Sequence, residues 1–209
     1  MILFMISSFY KKNSVFIKKI LFLTTSVAAM CTVLFSCASA KAAEPSLNPV
    51  YVTNTKKINL LPPEYMSGQI DSMQLLNGKF GKESFSLLAY IHADQNEIFL
   101  SLLNDFGTDM GNLVYDGVSA EFDSAVFPAA LKAEYIVADI QYAFYDTQKI
   151  AENLGASKLG FAVISGGDGT EIRRITNGTK LIAEIEKKTG SVRITNFLRG
   201  YEYNLLEGE

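Results

Sequence analysis

Cysteine is nearly missing from this chain, and what there is stands at one end. Of 209 residues only Cys31 and Cys37 carry a thiol. Beyond residue 37 no disulfide can staple the fold and no thiol can act as a nucleophile. Histidine is reduced to His92, which excludes a multi-histidine metal site. Neither an HExxH nor a CxxC spacing occurs, so the sequence offers no metal and no cofactor set. A Gly-x-Ser-x-Gly elbow is also missing, leaving a catalytic triad around His92 with no support but the histidine itself. No lysine or arginine block runs through the body, no repeat recurs, and no tract is low in complexity.

The N-terminus has a definite order. Lys11, Lys12, Lys18 and Lys19 precede an uncharged run of 21 residues from Ile20 to Ala40, the layout of an export signal rather than of folded structure. Within it Leu34-Phe35-Ser36-Cys37 resembles a bacterial lipobox. That resemblance implies cleavage before Cys37, acylation of its thiol and new amino group, and a mature protein of 173 residues. Several acyl chains hold stably where one is marginal. Two other fates fit the same segment. Ala38-Ser39-Ala40 and Ala40-Lys41-Ala42 are small-x-small sites whose cleavage would release a soluble protein. The run also approaches the roughly 20 residues of a membrane span, although Thr24, Thr25, Ser26, Thr32 and Ser36 dilute it and argue for cleavage. All three place the body outside the cytoplasm. Ala38, rather than aspartate, follows the cysteine, which by resemblance to lipoprotein sorting favours the outer membrane.

Removing the signal takes four lysines and no acids, leaving 15 basic and 22 acidic residues and a balance of −7. Such a body is poorly suited to nucleic acid and is not drawn to an anionic bilayer. The expected organisation is a signal over 1–36, a lipidated tether over 37–54, small and polar around Pro45 and Pro49, and one domain over 55–209.

That domain reads mainly as strands. Phe85, Leu87, Ala89 and Ile91 alternate onto one face of a strand from Ser84 to Ala93. Asp94-Gln95-Asn96 turns it into Glu97 to Leu103. Asp116-Gly117, where both positions tolerate positive φ, joins Leu113–Tyr115 to Val118–Phe122. Leu159–Ile164 meets Thr170–Ile175 across a Gly-rich turn. Asn177-Gly178 leads into Lys180–Glu186, and Thr189-Gly190 into Ser191–Leu206. The loop Gly166-Gly167-Asp168-Gly169 lacks the lysine and following helix of a phosphate loop. These successive hairpins describe an antiparallel meander.

Helical signals interrupt it once. Pro128 can open a helix; Ala129 to Glu134 is rich in helix formers; Ile136, Ile140 and Ala143 repeat at helical spacing. Thr147 to Leu154, closed by Gly155, reads as a second short helix with Thr147 as N-cap. The class expected is α+β, mostly β: an open antiparallel sheet curling to receive a helical hairpin on its concave side.

A specific resemblance supports the same picture. Gly111-Asn-Leu113-Val-Tyr115-Asp116-Gly117, then Phe127-Pro128, then Ala133-Glu134-Tyr135-Ile136-Val137-Ala138-Asp139-Ile140-Gln141-Tyr142 resembles a family of bacterial lipoproteins of unknown function, often encoded beside aryl-polyene lipid gene clusters. Arg173-Arg174, Ile182 to Ile185 and Gly200-Tyr201 fit its tail, while Tyr145-Asp146 stands where the family has Trp-Pro. The resemblance implies a fold similar to the LolA and LolB lipoprotein carriers, an open half-barrel with helices across its mouth that binds acyl chains. It implies no catalytic residue, no enzyme and no cofactor.

Several side chains are expected to carry function. Tyr115, Tyr142, Tyr145 and Phe161 could line a cavity, since aromatics supply area with a polar handle. Arg173 and Arg174 point to opposite faces, so one turns inward to meet a lipid head group or an internal acid. Asp116 and Gly117 shape a turn. Asp139 with Gln141 is the polar pair to watch, either as a helix-surface acid or as a group fixing the hairpin to strand or loop amides. Two functions remain: an outer-membrane lipoprotein binding or passing on an acyl or polyene lipid or lipoprotein acyl chains, and a packed assembly lipoprotein that docks a periplasmic protein through an exposed apolar patch. The first requires a cavity bridged by residues 128–154.

Overall fold

The computed structural model describes residues 47–127 and 131–208. The export signal, Cys37, the tether up to residue 46 and Pro128 lie outside the described residues.

Ten strands form one antiparallel sheet: β3 (Ile70–Phe80), β4 (Glu83–Ala93), β5 (Ile98–Leu103), β6 (Asp109–Tyr115), β7 (Ala120–Asp123), β8 (Gly160–Ser165), β9 (Glu171–Asn177), β10 (Lys180–Lys188), β11 (Ser191–Asn196) and β12 (Tyr201–Glu207). Their order is β7-β6-β5-β4-β3-β12-β11-β10-β9-β8. The chain therefore starts at the centre, meanders out to β7, crosses to the far edge at β8, and meanders back to β12 beside β3. The sheet is not closed into a barrel, because β7 and β8 are each paired on one side only. This agrees with the expected open half-barrel.

The crossing is made by two helices, α1 (Ala133–Phe144) and α2 (Thr147–Ala156). Alternation along the strands decides which face they cover. Leu87, Ala89, Ile91 and Ala93 of β4 are buried with Ile98, Leu100 and Leu102 of β5, Leu113 and Tyr115 of β6, and Ile175, Ile185 and Ile194 from the other half. These form the inner face, against which α1 packs at β7, β10 and β11 while α2 packs on β8.

The sequence reading places several boundaries differently. β3, the central strand, escapes it, because Ile70, Ser72, Gln74, Leu76 and Gly78 form a mixed polar and apolar inner row beside outward Met73 and Leu75. Apolar alternation is thus blurred. Ser191 to Leu206 is two strands, reversed where Gly200 takes φ 70°. The first helix begins at Ala133. Asp146, not Thr147, caps the second: its Oδ1 accepts from the Lys149 amide at 2.9 Å.

Residues expected to belong to the tether are part of the body. Val50, Val52 and Thr53 are buried, and β1 (Val50–Tyr51) pairs with β2 (Lys57–Ile58) in a small ribbon against α1. From there the chain runs along the helices as a strap. The Asn48 amide and side chain donate to Glu134 Oε1 at 3.2 and 2.9 Å. Asn153 donates to the Asn59 carbonyl at 2.9 Å. The Asp146 amide donates to the Tyr65 carbonyl at 2.8 Å, and the Ser67 amide to the Phe144 carbonyl at 3.0 Å. Covered by sheet below and strap above, α1 buries nine of its 12 residues, so it lacks the single apolar stripe of a surface helix.

Candidate functional site

The arrangement of interest is the covered inner face and the polar links that hold α1 upon it. Three links matter, one at the C-terminal end of the helix and two, through Asp139 and Gln141, in its second half.

At the C-terminal end, β9 aims Arg173 inward and Arg174 outward. Arg173 is 3% exposed. Its Nη1 donates to the Tyr142 and Tyr145 carbonyls at 2.9 and 3.0 Å, and its Nε to Glu171 Oε1 at 2.8 Å. The last carbonyls of a helix have no partner within it and carry partial negative charge. A guanidinium with two of them in reach is a C-terminal clamp, its charge balanced by Glu171. Arg174 pairs with Glu184 at 2.7 Å on the outer face. The expected inward arginine is therefore Arg173, and each arginine pairs with a partly exposed acid of its own chain.

Gln141 reads the strap. Its Oε1 accepts from the Leu61 amide at 3.1 Å and its Nε2 donates to the Leu61 carbonyl at 2.6 Å, which also accepts from the Tyr115 hydroxyl at 2.8 Å. Burial pushes the Tyr115 phenol up to about 12.

Asp139 lies beneath the helix toward β12. It is 7% exposed, so it is no helix-surface acid. The expected amide partners are replaced by a phenol: Tyr201 donates to its Oδ2 at 2.7 Å. Burial pushes this carboxyl up to about 6, opposed by hydrogen bonds from Tyr201 and Tyr203 and by Arg199. Tyr201 and Tyr203 are themselves pushed up by burial and by the charge of Asp139. Tyr201-x-Tyr203 places both rings on one face of a strand, a signal the sequence carries, but which acid they meet is set by the tertiary fold alone.

Tyr115, Tyr142 and Tyr145 are buried in the core, and Phe161 sits half-buried on β8. The Tyr142 and Tyr145 hydroxyls find no hydrogen-bond partner among the described residues, and burial pushes both phenols up. None of these aromatics lines either of two cavities on the sheet. One, about 270 Å³, opens where α1 ends, between Phe144 and the inner-face residues Ile70, Ser72, Gln74, Val192 and Leu205. Lys187, held down by burial and by Arg173, stands 5.4 Å over the Phe144 ring nearby. The other, about 600 Å³ and open, lies over Asn77, Ser86, Arg193 and Asn204.

The remaining expectations fall outside this region. Asp116 caps its own turn, accepting from the Val118 and Ser119 amides at 2.8 and 2.7 Å, while Gly117 takes φ 88°. His92 faces outward with Nδ1 3.6 Å from Asp71, which also accepts from Tyr90. Among the described residues no cluster of His, Cys, Asp and Glu could hold a metal ion, and no helix is long and apolar enough to cross a membrane.

One open ten-stranded antiparallel sheet with a helical hairpin strapped over its inner face defines the class. The chain belongs to the family described as Protein of unknown function (DUF3261), which matches residues 71–205. That span runs from β3 into β12 and takes in the Arg173 clamp and Asp139. No curated protein matches the chain.

Proposed function

We propose that the protein is a non-enzymatic lipoprotein of the outer membrane that takes up a hydrophobic ligand beneath its helical hairpin. The ligand class is an acyl or polyene lipid, or the acyl chains of another lipoprotein, handled as the similar LolA and LolB carriers handle theirs. The observation behind this reading is the covering of the inner face. An apolar surface spread over ten strands is covered by one helical hairpin and a strap rather than by a second sheet, and a few polar clasps hold that cover in place. The cavity beside Phe144 marks where the cover ends and a chain could enter. At about 270 Å³ it falls just under the roughly 300–1,000 Å³ usual for a ligand pocket, so uptake requires the hairpin to lift.

Native mass spectrometry of the full processed chain, before and after incubation with palmitate, tests this. Bound acyl species released on denaturation, with faster deuterium uptake in 133–156 for Arg173→Met, support a carrier. A bare mass in both proteins after incubation sinks the reading.

A second function is favoured by one feature of the outer face. Leu206, Leu75, Leu88 and Leu103 stand opposite one another across β12, β3, β4 and β5, with Met73 exposed on the same face of β3. A contiguous apolar row of this kind suits a docked protein partner.

A further inference from the structure

Edges of sheets invite pairing, and the two edges here are treated differently. Each edge strand has a helix packed near it, but β7 is only four residues long and carries Glu121 and Asp123. β8 is six residues, Gly160-Phe161-Ala162-Val163-Ile164-Ser165, without a charge or a proline. Five of the six are exposed, Val163 and Ile164 at 42% each. Nothing in this strand blunts its edge.

The hydrogen-bond pattern says which groups are unused. The Gly166 amide donates to the Thr170 carbonyl at 2.7 Å, making these a bonded pair, and the register continues as Ser165 opposite Glu171 and Ile164 opposite Ile172. Bonded and non-bonded pairs alternate in an antiparallel ladder. Gly160, Ala162 and Ile164 therefore spend their backbone groups on β9, while Phe161, Val163 and Ser165 present theirs outward.

We propose that β8 is the seam of a homodimer, two copies pairing antiparallel about a two-fold axis at Val163. In that register Val163 meets Val163 of the second copy, Phe161 meets Ser165, and Ala162 meets Ile164. All three outward residues of each copy then enter the ladder. The strand is self-complementary because it carries no charge: a two-fold axis sets like residues near like, and any acid or base would repel its own copy. A second copy is also always present at equal concentration, unlike a strand from another protein. The contact is small against the roughly 1,200–2,000 Å² of a stable interface, so association in solution is weak and concentration-dependent. This inference is independent of the ligand reading.

The test uses the full processed chain in non-ionic detergent. Sedimentation over a concentration series should show a monomer–dimer equilibrium. Val163→Pro removes an outward N–H and leaves the bonds to β9 intact, so it should weaken dimerisation at least roughly tenfold while retaining the parent melting temperature within a few degrees. Val163→Cys supplies a reading that does not depend on proline being tolerated. Bonded pairs in a ladder lie about 5.5 Å apart at Cα, within disulfide range. Oxidation should yield a covalent dimer from Val163→Cys and not from Ile164→Cys, whose symmetry mate is two residues out of register. A parent that stays monomeric throughout, equal cross-linking of the two cysteine variants, or Val163→Cys captured by a different protein would each overturn self-pairing.

Discussion

Asp139 concentrates the energetics of the hairpin in one carboxyl. Its folded value of about 6 lies above the ordinary 3.8, so the folded state holds its proton more tightly than the unfolded chain does. The stability this supplies is complete below about pH 4 and is lost as pH rises toward 6, at most on the order of 3 kcal/mol. Thermal melts across that window should show the decline in the parent and a flatter profile in Asp139→Asn. Tyr201→Phe, which removes the phenol donor to a buried acid, should cost about 1–3 kcal/mol at neutral pH; an unchanged melting temperature would show the contact to be idle. Arg173→Met strips two helix-end carbonyls of their donor and leaves Glu171 to Lys187 alone. We expect a loss of about 2–4 kcal/mol, read as a lower urea midpoint with an unchanged slope.

At the level of elements, the register of β3 against β4 depends on a missing side chain. Gly78 stands opposite Phe85, and a methyl group at 78 would collide with the Phe85 ring. That ring packs edge-on against Phe127, 5.9 Å away. Gly78→Ala should therefore destabilise by about 1–3 kcal/mol through overpacking. Combining it with Phe85→Leu should recover part of the loss, and strictly additive effects would show that the two positions do not share space. The hairpins around Asp94-Gln95-Asn96 and Asn177-Gly178 were legible in the sequence, because turn chemistry is local. β3 was not, because a half-polar inner row reads as a strand only once β12 lies beside it. The N-terminus of the second helix was misplaced by one residue, since Asp146 and Thr147 can both cap.

Across the whole molecule, the strap is the least expected feature. Lying beside Pro45 and around Pro49, residues 47–54 read as tether, yet Val50 and Val52 help to seal α1. Deleting residues 47–58 from the otherwise complete chain should uncover that helix and lower the melting temperature by well over ten degrees, with increased binding of a hydrophobic dye. A stable, dye-silent deletion would show the strap to be ornamental.

The sequence by itself determined the elements that local chemistry dictates: most strands, their turns, the single helical interruption, the absence of disulfides, and a negative balance in the body. It also marked Asp139, Gln141 and an inward arginine as worth attention. Only the tertiary structure decided that the first and last strands of the sheet pair at its centre, that Tyr201 is the partner of Asp139, and that Arg173 holds a helix end. Those pairings join residues 28 positions apart (Tyr145 and Arg173) to 133 apart (Gln74 and Glu207) in the chain, and no periodicity within a segment encodes which distant segment it will meet.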